Sequence, residues 1–225
     1  MKYPEAFIFD LDGVLTDTAE YHFLAWQKLA EELGISIDRE FNEKLKGISR
    51  MESLERIIAL DPSLREFSES EKEMHANNKN RHYLDLIKTI NSEDVLPGIV
   101  SLLQMIKEHP IKIALGSASK NAQIVLEQLG LSDYFDYVVD ASKVKNGKPD
   151  PETFTTAADF LQVPYGECVG IEDAAAGVEA INRANMFSVG VGSRLHLSLA
   201  DYIVEDTSQL HFEEIVKRFI ERNKQ

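Results

Sequence analysis

Asp10 and Asp12 stand one residue apart where an apolar run, Ala6-Phe7-Ile8-Phe9, gives way to Asp10-Leu11-Asp12-Gly13. Side chains alternate along a strand, so both carboxylates can emerge into one space while Leu11 turns back into packing. Anions this close repel unless one carries a proton or a cation neutralises them. A second acidic pair, Glu172-Asp173, follows Cys168-Val169-Gly170-Ile171 in the same manner. Carboxylates and waters are the ligands Mg²⁺ prefers, so Asp10, Asp12, Glu172 and Asp173 read together as a hard-cation site. Acidic residues after strands are also ordinary turn formers and helix caps, and four of them at two strand ends weaken that alternative.

Ser117, Ser119 and Lys120 come after another apolar run, Ile111 to Leu115, and before a helix containing Ile124. Free backbone N–H groups at such a junction favour an anion, which makes this a phosphate-site pattern. Taken alone it is weak, because Ser is a common helix cap and Lys a common surface residue. Lys148, ahead of Pro149 at a further helix start, offers a point cation that could balance an acidic cleft.

The elements that must hold these residues are legible as a rhythm. Short apolar runs stop at polar residues or glycine: Ala6–Phe9, 111–115, 137–139, 168–171 and 188–191. Between them lie helical periods. Leu96-Pro97-Gly98 opens one with Ile99, Leu102, Leu103 and Ile106, and 149–163 and 174–186 supply two more. Strands alternating with helices predict an α/β fold, a Rossmann-like parallel sheet with helices on both faces.

The stretch from about Thr18 to Asp94 breaks this rhythm. It is helical in pattern throughout, with Phe23, Trp26, Leu29, Ala30 and Leu33 on one stripe before Gly34. Ser49-x-x-Glu52 and Ser70-x-x-Glu73 each match a helix-start box, the second opening a long helix that ends near Ile90. The expected layout is a core of residues 1–17 and 96–225 with an α-helical cap, 18–95, inserted after the first strand. Ligands of open α/β sheets sit beyond the carboxyl ends of the strands, so the cap would lie over the cleft as a lid.

Composition narrows the functional classes. With 24 Lys+Arg against 38 Asp+Glu in 225 residues, the net charge is −14, which argues against nucleic acid or an anionic membrane as partner. A lone cysteine, Cys168, excludes a disulfide framework and reads as a small buried apolar residue. The opening residues do not have the apolar length of a signal peptide, and no apolar stretch approaches the ~20 residues of a membrane span. The expectation is a cytoplasmic protein, and a monomer, since no patterned apolar face is left over once core and cap are assigned.

Asp10-Leu11-Asp12-Gly13-Val14, Ser117-Ala118-Ser119, Gly147-Lys148-Pro149-Asp150 and Glu172-Asp173, in that order, resemble the haloacid dehalogenase superfamily of aspartate-nucleophile phosphotransferases. The resemblance spans nearly the whole chain. Thr18-Ala19-Glu20-Tyr21-His22 and Lys46-Gly47-Ile48-Ser49-Arg50 are similar to its sugar-phosphate mutase branch rather than to its phosphatases of small sugar phosphates. The resemblance implies that Asp10 becomes an aspartyl phosphate and that Asp12 is the acid and base. It also implies Mg²⁺ on the Asp10 carboxylate, the Asp12 carbonyl, Glu172 and Asp173, with Ser117 and Lys148 holding the moving phosphoryl. Arg50, Ser119 and Asn121 would grip the second phosphate of a small phosphorylated sugar. Lys46, Gly47 and Trp26 are carried over as substrate-binding cap positions, and His22 as the partner that sets Asp12 on closure. Ala174 and Gly116 depart from the Ser and Ala common in relatives, which affects fine tuning rather than reaction type.

Overall fold

Residues 3–64 and 66–224 are described in the computed structural model. In chain order the main elements are β1 (Ala6–Phe9), α1 (Ala19–Glu32), α2 (Arg39–Glu43), α3 (Arg50–Ile58), α4 (Glu69–Leu86), α5 (Ile99–Lys107), β2 (Lys112–Leu115), α6 (Ala122–Gln128), β3 (Tyr137–Val138), α7 (Glu152–Leu161), β4 (Cys168–Glu172), α8 (Ala175–Arg183), β5 (Phe187–Val191), β6 (Tyr202–Val204) and α9 (Phe212–Arg222). All neighbouring strands pair in parallel, in the order β3-β2-β1-β4-β5-β6.

β1 shows why the sheet is covered on both sides. Phe7 and Phe9 enter a cluster built with Ile99, Leu103 and Ile106 of α5 and Ile215 and Phe219 of α9. Ala6 and Ile8, facing the other way, pack with Phe154 and Ala157 of α7 and Ile181 of α8. Each residue of the strand is buried, as expected for a strand between two helical layers. Cys168 is likewise buried, and burial pushes its thiol up to about 12, so it behaves as an apolar residue.

The helical stretch is α1 to α4 and has its own apolar cluster, in which Phe23, Trp26 and Leu29 of α1 meet Leu54 and Ile57 of α3 and Ala76 of α4. Its two chain crossings are zipped together: Thr16 bridges Val95, Leu96 N–H donates to the Leu15 carbonyl at 2.9 Å, and Thr16 Oγ1 donates to the Asp94 carbonyl at 2.8 Å. Ser49 caps α3 by accepting from Glu52 N–H at 3.3 Å.

The start of α4 corrects the reading at Ser70-x-x-Glu73. The pattern occurs twice, two residues apart, and the earlier copy makes the box: Ser68 Oγ accepts from Glu71 N–H at 3.4 Å and Glu71 Oε2 accepts from Ser68 N–H at 2.9 Å. The earlier start adds a half-turn of helix while leaving Ala76, Lys79 and Tyr83 on the buried face. The third-strand run is shorter than 137–139, and the helix expected from 149 begins at Glu152, after Pro149 and Pro151. β6 and α9 complete the sheet and its cover at the carboxyl end, where no element was expected.

Candidate active site

β1 and β4 are neighbours, yet the chain visits β2 and β3 on one side of β1 before crossing to β4 on the other. Strand order reverses at this point, and the crevice it leaves lies at the carboxyl ends of β1 and β4. Asp10 follows β1, and Glu172 ends β4 with Asp173 next to it. The acidic motifs separated by about 160 residues therefore converge for a topological reason.

Lys148 reaches the same floor from the loop before α7. Its ammonium is fully buried and donates to Asp10 Oδ1 at 2.7 Å and Glu172 Oε1 at 2.8 Å. Burial alone would lower this lysine, but Asp10 and Glu172 outweigh it and raise its value, so it stays charged. Glu172 Oε2 accepts from Ala174 N–H at 2.9 Å, and Gly177 makes room for the carboxylate, since a Cβ there would stand 2.0 Å from Glu172 Oε1. Burial pushes Asp10 up against the pull of Lys148, and burial together with Glu172 and Asp10 pushes Asp173 well up.

Oxygens of Asp10, Glu172 and Asp173 lie within 4.8 Å of one another. Three carboxylates face one fully buried ammonium, and the Lys46 ammonium lies 3.8 Å from Asp173. This excess of hard oxygen donors fits a divalent cation of the Mg²⁺ type. Asp12 belongs to the same pocket, but its carboxylate is outside that trio.

Ser117 is buried and shares the pocket with Asp10, and Ser119 and Asn121 follow it toward α6, where Ser119 Oγ accepts from Asn121 N–H at 3.2 Å. The opposite wall comes from the cap. His22 and Trp26 of α1, Lys46 and Gly47 of the α2–α3 loop, and Arg50 of α3 line the same cavity as Asp10 and Asp12. Gly47 has φ +72°, and a Cβ built there would touch Ala174 Cβ at 3.0 Å, so the cap loop rests on the core beside the acidic trio. The cap is shut.

Asp12 is pushed up to about 6, chiefly by burial, with Lys79 and Lys148 pulling it back. Its Oδ1 has no hydrogen-bond partner among the described residues. His22 Nε2 is 3.9 Å from Asp12 Oδ2, while His22 Nδ1 lies 2.8 Å from Lys79 Nζ. Burial, Lys79 and Arg50 hold His22 well below its usual value, so the ring is neutral near pH 7. A Lys79 ammonium donating to Nδ1 would place the ring proton on Nε2, on the Asp12 side.

Lys79 was not anticipated from the sequence. It is buried on α4, with its Nζ 4.5 Å from the Trp26 ring centroid and 5.0 Å from that of Tyr83. Burial and Arg50 lower its ammonium well below the ordinary lysine range. The available signal was its place at i, i+3, i+7 with Ala76 and Tyr83 on an otherwise polar helix. Trp26 packs in the cap cluster beneath this lysine as well as lining the cavity. Arg50 has no carboxylate partner among the described residues, and burial lowers it.

The family model for haloacid dehalogenase-like hydrolases matches residues 4–185. The chain belongs to the haloacid dehalogenase-like hydrolase family. Within this family it is 49% identical to a β-phosphoglucomutase of Bacillus subtilis over 209 residues, which cover 93% of this chain and 92% of the relative. It is 33% identical to a phosphorylated carbohydrates phosphatase of Thermotoga maritima, over 81% of this chain and 82% of the relative. Among solved structures, a β-phosphoglucomutase from Clostridium difficile superposes with a TM-score of 0.96 at 56% identity, covering 98% of this chain and 99% of that one. No described helix is long and apolar enough to cross a membrane.

Proposed function

We propose that this protein is a β-phosphoglucomutase, interconverting β-D-glucose 1-phosphate and glucose 6-phosphate through an aspartyl-phosphate enzyme and a glucose 1,6-bisphosphate intermediate. The observation that carries the reading is a cavity with anion-binding groups on two opposed walls. On the floor stand Asp10 and Ser117, with Lys148 bonded behind Asp10, and on the cap and rim stand Arg50 and Ser119, with Asn121 bonded behind Ser119. A mutase must hold two phosphoryl groups on one sugar, whereas hydrolysis of a monophosphate needs one such site. The relatives named β-phosphoglucomutase support the same choice.

Asp10 is the nucleophile in this proposal: as an aspartyl phosphate it gives its phosphoryl group to the 6-hydroxyl of β-glucose 1-phosphate, and once the resulting bisphosphate has turned around it takes the 1-phosphate, releasing glucose 6-phosphate. Lys148, held charged beside Asp10, meets the charge that develops on the phosphoryl oxygens, and Ser117 donates to the same group. Asp12, whose value near 6 suits both uptake and release of a proton, protonates the leaving oxygen and deprotonates the next attacking hydroxyl. His22 orients Asp12 from the shut cap, and Lys79 fixes the imidazole. Arg50, Ser119 and Asn121 hold the phosphate that is not reacting, Arg50 through its forked donors. Lys46, Gly47 and Trp26 shape the sugar's place in the cap, and the closed lid keeps water from the aspartyl phosphate. Mg²⁺, held by the Asp10 carboxylate, Asp12 carbonyl, Glu172 and Asp173, would supply a Lewis acid that neutralises the phosphoryl oxygens.

The same proposal includes the boundaries, a core of 1–17 and 96–225 and a cap of 18–95, supported by the separate cap cluster and the zipped crossings at Thr16 and Val95. It also takes the protein as a cytoplasmic monomer acting on a small phosphorylated sugar, with no nucleic acid or membrane partner, as its strongly acidic charge favours. The phosphatase name carried by a 33% identical relative keeps a sugar-phosphate hydrolase as the rival. An NMR time course on both anomers of glucose 1-phosphate separates them. The mutase reading expects glucose 6-phosphate from the β anomer with little inorganic phosphate, and net phosphate release without glucose 6-phosphate overturns it.

A further inference from the structure

Cap and core are also joined away from the acidic floor, through two amides. Asn121 Nδ2, at the start of α6, donates to Asn80 Oδ1 on α4 at 2.7 Å. Asn121 is buried, and its side chain makes no capping bond to its own helix. Nothing in the capping of α6 therefore selects which end of the amide is turned toward the cap.

That choice matters for an anion. A phosphate oxygen accepts hydrogen bonds and does not donate, so it can be met by the Asn121 NH₂ and is repelled by the Asn121 carbonyl. We propose that Asn80 is a positioning residue: by accepting one of the two Nδ2 hydrogens it fixes the amide with its NH₂ toward the cap, leaving the second hydrogen for the phosphate of the sugar. The acceptor belongs to the cap helix α4 and the donor to the core at the start of α6, so the bond exists only with the cap shut. Closure thus completes the grip, and by reciprocity a gripped phosphate favours closure. Asn80 was no candidate from the sequence, and the residue it acts through, Asn121, was.

This inference rests on the mutase reading, in which Asn121 contacts the non-reacting phosphate. The test is a double-mutant cycle of Asn80→Ala and Asn121→Ala, measured with β-glucose 1-phosphate and, separately, as hydrolysis of acetyl phosphate, which has no second phosphate. Asn80→Ala should raise KM for the sugar phosphate about tenfold, the factor that ~1.4 kcal/mol represents. It should leave acetyl phosphate turnover within about twofold, a small fraction of that 1.4 kcal/mol. The double variant should be no worse than Asn121→Ala alone, because the two residues act as one unit. Asn80→Ser, whose hydroxyl is too short to reach Asn121, should reproduce the KM rise and guards against a folding defect peculiar to alanine. An unchanged KM, effects that multiply in full, or equal loss of acetyl phosphate turnover would each overturn the proposal. Wild-type enzyme that makes no glucose 6-phosphate would instead overturn the mutase reading itself.

Discussion

The floor of the cleft and its roof handle charge in opposite ways. On the floor, Asp10, Lys148 and Glu172 are buried and already paired with one another at 2.7 and 2.8 Å. On the roof, Arg50 has no carboxylate partner among the described residues, and Lys79 is held by an imidazole and aromatic rings instead of an anion. The floor's pairing of Lys148 with Asp10 and Glu172 is set by the sheet and needs no sugar ligand to form. Lys46 has Glu43 and Asp173 beside it, but Arg50 and Lys79 are left short of solvent and counter-charge, a cost that an anionic ligand relieves. A pre-formed floor gives reactivity, and an unsatisfied roof ties reactivity to the presence of the right ligand.

The comparison is sharpest at Asp10. Asp10→Asn should lower sugar-phosphate isomerisation by about 10⁴-fold or more, as loss of a covalent nucleophile does. Its circular dichroism should match wild type, since Glu172 still pairs Lys148. Lys148→Ala attacks the floor's own integrity, because it strands two buried carboxylates. Urea unfolding should show a loss of ~3–5 kcal/mol. The contrast fails if that variant is as stable as wild type.

Arg50→Ala probes the roof. Removal of a forked charged donor should raise KM for the sugar phosphate by an amount worth ~2 kcal/mol, with acetyl phosphate hydrolysis little changed. Unfolding should be nearly unaffected. If Arg50→Ala destabilised the fold as Lys148→Ala does, floor and roof would not differ in kind. Gly47→Ala should act more gently still. Its φ of +72° costs an L residue roughly 1–2 kcal/mol, and the added methyl would press on Ala174, so closure weakens and KM rises several-fold.

The smallest effect is in pH. His22 is held below its ordinary value by burial, Lys79 and Arg50, so below about pH 6.5 the unfolded chain takes up a proton that the folded chain refuses. Its contribution to stability is present above that pH and is lost as pH falls toward the folded value. Asp12, raised by burial, works in the opposite sense, favouring the folded state as pH falls through its folded value near 6. The difference between wild type and His22→Gln in urea at pH 7.5 and 5.5 isolates the histidine: wild type should lose more stability on acidification than the variant.

Much of the floor was legible because it follows from strands. Asp10-x-Asp12 and Glu172-Asp173 each end a buried apolar run, and the rule that ligands bind beyond strand ends brings them together. The roof was less legible. Lys79 and Asn80 lie on a helix of low apolar content, and their importance comes from what the helix docks against rather than from spacing along it. The two copies of Ser-x-x-Glu at 68 and 70 were locally equivalent, so pattern alone could not choose between them. β6 has only three residues and gains its place from pairing with β5, whereas Phe212, Ile215, Val216 and Phe219 of α9 carry a helical period in the sequence itself.

By itself, the order of residues determined the alternation of strands and helices, the helical insertion after β1 and the chemical types gathered for phosphoryl transfer, because periodicity, turns and side-chain chemistry act over a few residues. Only the tertiary structure decided that Lys148 sits between two carboxylates, that Lys79 stands behind His22, and that Asn80 answers Asn121 across the cleft. Those contacts join residues 24 to 138 positions apart, and burial, which shifts Asp12 and His22 toward their working protonation states, exists only once the cap has come down on the core.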